Sequence, residues 1–391
     1  MRRSKWSKRL VVQGIILAVA QTGIAFADAP APKWYDSTTL SGYVQGNYVG
    51  NLSKDTPQTN QLRAFDPNQG FGLPQAQLKL SKPVADDSAG FVVKMLMGTN
   101  AAAIHSTGGN SDTNFDLEEA NMTFNVPKVK GLTFTGGKFV TSCGVEVIES
   151  PSNMMIEPGL LFLYGMPFTH TGGKFGYTVN DKLSLYAGVV NGWDQVVDQN
   201  SGKTIIFNVS ATPIKTLSVG VTGSYGPELF GTSSSTTALP SGNPNISKRE
   251  HIDLVLGYTG IDKLSLNVEG LWGQDTNTGG VADSVTTPWA GAGLWAGYAQ
   301  SDYINPGIRV EVFRDNASSS GIGRLTAPNS LTGLPQTAKS LTLVNKFVVN
   351  KNTALRLEYR HDWSTVAAYS RSDGTGVRNQ NTISADWVVT F

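Results

Sequence analysis

Residues 381–391 read NTISADWVVTF. Successive side chains of an extended strand point to opposite sides, so Ile383, Ala385, Trp387, Val389 and Phe391 share one face, and Thr382, Ser384, Asp386, Val388 and Thr390 share the other. A soluble sandwich would bury the first set in a core. A closed membrane barrel would turn it to lipid and the second set to a watery interior. The alternation by itself fits both.

The connections decide between them. The same period of two recurs upstream: Leu264, Leu266, Val268 and Trp272 alternate with Ser265, Asn267 and Glu269, while Leu355, Leu357 and Tyr359 alternate with Arg356, Glu358, Arg360 and Asp362. Ile308, Val310 and Val312 likewise oppose Arg309 and Glu311. Strands are predicted at about 38–50, 72–82, 89–98, 115–126, 131–140, 167–179, 182–193, 203–212, 216–226, 249–259, 263–274, 288–299, 306–314, 338–349, 353–364 and 379–391, sixteen in all. Tight turns at 179–181, 213–215, 260–262 and 350–352 alternate with long connections at 51–71, 99–114, 141–166, 227–248, 275–287, 315–337 and 365–378. Short links on one rim and long ones on the other mark an outer-membrane barrel. The expected fold is therefore all-β, a transmembrane antiparallel up-and-down β-barrel of about 16 strands, with short periplasmic turns, long extracellular loops and both termini in the periplasm. Such a ring is wide enough for a water-filled lumen. Tyr48, Trp193, Tyr225, Tyr258, Trp272, Trp289, Tyr359 and Trp387, all near strand ends, are candidates for the interfacial girdles.

Composition agrees. Charged residues make up 16% of the 391-residue chain, against roughly 25% in soluble proteins. A basic head (Arg2, Arg3, Lys5, Lys8, Arg9), the apolar run LVVQGIILAVA and small residues ending at Ala27 read as a secretory signal, giving a signal peptide at 1–27 and one barrel domain at 28–391. Ordinary Sec export is expected over the twin-arginine route, because a barrel travels unfolded. Without that segment 26 basic residues face 30 acidic ones, a net charge of −4, which excludes a nucleic-acid partner. No later apolar run is long enough for a spanning helix. With Cys143 as the only cysteine, no internal disulfide can form.

Residues 136–194 carry Gly137-Lys138-Phe139, the run EVIESP at 146–151, PFTHTG at 167–172 and VVNGWD at 189–194. This region resembles the signature region of the OmpL-like β-barrel porin-2 family, departing from it at Met154 to Pro158 and at Cys143. The resemblance implies an outer-membrane porin.

The connection 141–166 is long yet rich in apolar residues: Ile148, Met154, Met155, Ile156, Leu160, Leu161 and Phe162. An external loop has no reason to be apolar, so it is expected to fold into the lumen and narrow it. It carries Glu146, Glu149 and Glu157 but no Lys or Arg, and Lys94, His170, Lys174, Arg309, Arg356 and Arg360 are candidate inward groups facing it. Acidic loop against basic wall would set up a transverse field that favours polar solutes. Phe391, Val389 and Trp387 look like the C-terminal signal read by the barrel-insertion machinery.

Asp112, Asn114 and Asp116 are a calcium candidate, although the spacing lacks the features of an EF-hand. No histidine pair has metal-ligand spacing, no cofactor is indicated, and GAGLWAG at 291–297 has no helix after it to make a dinucleotide site. Strand glycine beside a crowded aromatic accounts for that run more simply. The preferred function is passive diffusion of small hydrophilic solutes or ions through an outer-membrane porin, not an enzyme, in contact with outer-membrane lipids and lipopolysaccharide. Whether it is a monomer or a homotrimer stays open. The rivals are a phospholipase-like barrel enzyme and an adhesin or structural barrel with a blocked lumen.

Overall fold

The computed structural model describes residues 35, 37–52, 59–86, 88–106, 108–109, 112–228, 248–276, 286–316, 324–325 and 335–391. The expected signal segment lies outside these residues.

Runs in which β-branched and aromatic residues alternate with small polar ones form the strands. In chain order these are β1 (Thr39–Asn51), β2 (Gly70–Lys82), β3 (Gly90–Met97), β4 (Phe115–Asn125), β5 (Leu132–Val140), β6 (Thr169–Asn180), β7 (Leu183–Val190), β8 (Thr204–Ile214), β9 (Leu217–Pro227), β10 (Lys248–Tyr258), β11 (Leu264–Thr276), β12 (Thr287–Tyr298), β13 (Ile304–Asp315), β14 (Gln336–Asn350), β15 (Thr353–Ser364), β16 (Tyr369–Ser370), β17 (Gly376–Val377) and β18 (Asn379–Thr390). The two-residue β16 and β17 form a separate ribbon. The other sixteen pair antiparallel, each with its neighbour, and β18 pairs with both β15 and β1 to close the ring. Closure leaves no edge strand, which matters because each unpaired backbone group in hydrocarbon costs several kcal/mol. At the seam Phe391 donates its N–H to the Gly42 carbonyl at 2.9 Å and accepts from Gly42 at 3.0 Å. The Trp387 indole lies over Gly46, where any Cβ would fall 2.3 Å from the ring.

The two faces of each strand separate by polarity. On β15, Leu355, Leu357 and Tyr359 are exposed on the outer wall, whereas Arg356, Glu358, Arg360 and Asp362 are buried on the inner one. Tyr48, Tyr225, Tyr258, Trp272, Tyr359 and Trp387 are exposed, as girdle residues must be. Trp193 and Trp289 are corrections to that expectation. Trp289 is buried and donates its indole N–H to the Gly165 carbonyl at 3.2 Å, and Trp193 stacks edge-on against it. Parity places Trp289 on the inner face, and an inner face packed by protein retains aromatics as well as an interface does.

The apolar core sits inside the ring. Inward side chains Leu96, Leu271, Trp289, Trp295 and Phe313 pack against Leu62 and Phe65 from the β1–β2 connection, Ile104 from the β3–β4 connection, and Ile148, Leu160 to Leu163, Met166 and Phe168 from the β5–β6 connection.

Candidate functional site

The β5–β6 connection crosses the lumen and is held by groups from most of the wall. Glu146 accepts from Arg309 of β13 at 2.5 Å and from the Trp295 indole of β12 at 3.3 Å. Glu149 pairs with Lys94 of β3, which also meets Glu119 of β4 at 2.7 Å. Glu157 accepts from Arg63 at 2.6 Å and from the Ser384 hydroxyl of β18. The three loop carboxylates thus do face basic partners, but each is committed to an ion pair that fastens the segment.

Arg356 and Arg360 bind the loop backbone instead. One nitrogen of Arg356 donates to the carbonyls of Ser150, Asn153 and Met155 at 3.0, 2.9 and 2.9 Å, while the other side of the guanidinium grips Asp386. Arg360 donates to the Pro158 carbonyl at 2.8 Å and to Asp362 at 2.9 Å. Wall carboxylates take the loop N–H groups: Asp253 from Gly144 at 3.0 Å, Glu269 from Val145 at 2.8 Å, Glu358 from Ile156 at 2.6 Å and Glu311 from Leu161 at 3.2 Å. An irregular backbone inside a membrane ring needs such partners, and here charged wall residues supply them in place of a neighbouring strand.

Glycines make room for the crossing. A Cβ on Gly159 would lie 2.1 Å from a Glu311 oxygen, and one on Gly165 would lie 2.5 Å from a Leu271 methyl. The run at 291–297 has the same purpose on the wall: Gly291 faces Leu161, Gly293 lies under Trp295 and Gly297 faces Met154.

Two candidates stand apart from the loop. Lys174 places its ammonium 4.2 Å from the Phe139 ring centre and 4.5 Å from that of Tyr186, with no loop carboxylate among its described contacts. His170 is buried beside Phe139, ring centres 6.0 Å apart. The calcium candidate does not assemble. Asp112 is exposed and accepts the Asn114 N–H at 2.9 Å, whereas Asp116 turns inward to Lys138 at 2.8 Å, because strand parity sends it to the lumen. Among the described residues no group of three or more His, Cys, Asp or Glu could hold a metal ion.

Arg63 was not expected at the site. It joins Glu157 to Asp362, 2.6 Å from each, and brings residues 60–66 into the lumen. Toward the short-turn rim the inward positions change character: Ser41, Ser81, Thr123, Thr133, Ser184, Ser210, Ser218, Ser265 and Asn305 are half-buried and small or polar, forming a cup around the wall. The ring is thus apolar outside, while its inner wall combines charged and small polar residues with the apolar cluster that packs the crossing segment.

A family model described as beta-barrel porin-2, OmpL-like, matches residues 37–391. The chain belongs to this family. It is an outer-membrane porin, and the family match runs through the crossing segment and both of its flanking strands. Solved structures similar to this porin include an anion-selective porin from Comamonas acidovorans (12% identity, 91% of this chain, 99% of that one, TM-score 0.61). OmpT, an outer membrane protein of Vibrio cholerae, is also similar (13%, 90% and 97%, TM-score 0.59), as is the outer membrane channel DcaP of Acinetobacter baumannii (11%, 90% and 97%, TM-score 0.56). At these identities the likeness is one of fold. The comparison with curated proteins returned no match.

Proposed function

We propose that this porin conducts small hydrophilic solutes or ions by passive diffusion, with the long loops outside the cell, the termini in the periplasm and segment 141–166 setting the narrowest point. Solute entering from outside meets that segment, passes it, and leaves through the polar cup without energy or cofactor. The observation that carries this reading is the set of charged anchors just described: they fix one connection across the lumen and leave the short-turn half lined mostly by Ser, Thr and Asn, with Lys79 of β2 and Lys346 of β14 also on that inner face. Lys174 lies on the cup side of the crossing, on a stretch of wall that binds no part of the loop through its charge, and is the candidate the solute would touch.

A non-enzymatic role fits the family match, and His170 and His251 pack against the rings of Phe139 and Trp193. The test is reconstitution of the mature chain in planar bilayers. Discrete conductance steps are expected, and deletion of residues 146–160 should enlarge them. A chain that inserts and never conducts would leave the adhesin or structural reading in its place, and steps unchanged by the deletion would remove the constriction from this segment.

A further inference from the structure

The outer wall over β13, β14, β15 and β18 carries cations where lipid should be. Arg314 and Lys339 are both exposed and both occupy outward positions, on the parity of Val310, Val312, Leu341 and Leu343. In register Arg314 lies opposite Thr337 and Lys339 opposite Val312, so the two cations are diagonal neighbours across adjacent strands, roughly 7–8 Å apart. On its other side Lys339 lies opposite Trp363, whose ring stacks on His361 at 5.1 Å and 27°. His361 and the Tyr359 hydroxyl share Asn381 at 2.7 and 2.8 Å.

The level of this patch can be counted. From Thr353 at the short-turn end to Trp363 is about ten residues of one strand, the length that crosses the hydrocarbon when tilted. Lys339 and Arg314 therefore sit at the height of the headgroups on the long-loop side. Outward positions on these four strands hold no Asp or Glu. Among the described residues the Arg314 guanidinium donates a hydrogen bond to the neutral Asn316 amide at 3.1 Å. Positive charge with aromatic shoulders above and aliphatic wall below fits an amphiphile with phosphates at its head and several acyl chains.

We infer that this patch binds the phosphorylated, multiply acylated glycolipid of the outer leaflet, with Arg314 and Lys339 on a phosphate of its lipid A headgroup and the chains along Val310, Leu341 and Leu343. The assignment rests on the orientation proposed above, with the long loops outward.

Full-length mature porin in detergent, mixed with bisphosphorylated hexa-acyl lipid A and examined by native mass spectrometry, should retain the lipid. The Arg314→Gln, Lys339→Gln double variant should retain it at least about tenfold less, given the attraction each basic residue supplies near a charged membrane, and lipid A stripped of its phosphates should be lost likewise. Bilayer conductance recorded on the same preparations shows that the variant is folded, since neither residue faces the lumen, and keeps failure of this inference distinct from failure of the channel reading. Equal retention by the double variant would overturn the inference. Equally tight retention of phosphatidylglycerol would overturn the choice of glycolipid.

Discussion

Arg356 shows how much one residue can hold in a barrel that lacks a layered core. Its guanidinium ties three carbonyls of the crossing segment to Asp386 on the next strand. Replacing it with Met keeps the bulk but leaves Asp386 charged, buried and unpaired, a change that typically costs about 3–5 kcal/mol. Arg356→Met is therefore expected to unfold at lower denaturant concentration in detergent and to show larger, noisier conductance, because residues 150–155 lose their clamp. Unchanged unfolding would mean that the segment is held elsewhere. At this scale the sequence was readable for side-chain direction: parity put Arg309, Arg356, Arg360 and Lys94 inside, where they are. It was not readable for partner. Period two fixes the face of a residue but says nothing about which loop atom will arrive there, so Glu157 finds Arg63 and Arg356 finds carbonyls.

The inserted connections set the next scale. The apolar content of 141–166 was enough to send it inward, since an apolar segment has no stable place among water-facing loops. The same reasoning applies to Leu62 and Phe65, but two apolar residues flanking one arginine in a polar stretch give a much weaker signal than seven in one loop. Asp66 follows Arg63 inward and is pushed up to about 7, first by burial and then by the nearby Glu157 charge, against the pull of hydrogen bonds from Asn100 and Asn47. An acid raised from 3.8 to about 7 on folding keeps a proton that the unseated segment would release. Its contribution is whole below the lower value and fades as pH rises through the higher one. Residues 60–66 should accordingly be held more firmly at pH 5 than at pH 8. Tryptic cleavage after Arg63, normalised to the denatured chain, is expected to rise across that interval in the wild type and to stay flat in Asp66→Asn. A flat wild-type profile would remove Asp66 from the seating of this segment.

For the whole molecule, strand number and boundaries were legible because each membrane crossing repeats the same constraint, apolar outside and polar inside. Trp193 and Trp289 mark where this fails: near the long-loop rim protein and lipid both accept aromatics, so composition there stops reporting direction. Phe391 acts at this scale too. It closes the seam through Gly42 and exposes its ring on the outer wall, so removing it takes away two backbone hydrogen bonds and the terminal aromatic together. The expected result is a several-fold lower yield of heat-modifiable porin in the outer membrane with the same single-channel conductance for the molecules that do assemble. Normal yield would show that the terminal ring is not what the insertion machinery reads.

The anchors of the crossing segment are scattered along the chain, from Arg63 through Lys94, Asp253 and Glu311 to Arg356 and Ser384. Contacts so distant in sequence form late, and several of them do not exist until the first and last strands have met. Ring closure is therefore expected to precede the seating of this segment during biogenesis. A newly inserted molecule is then expected to pass through a brief, leakier interval before the segment settles against the wall.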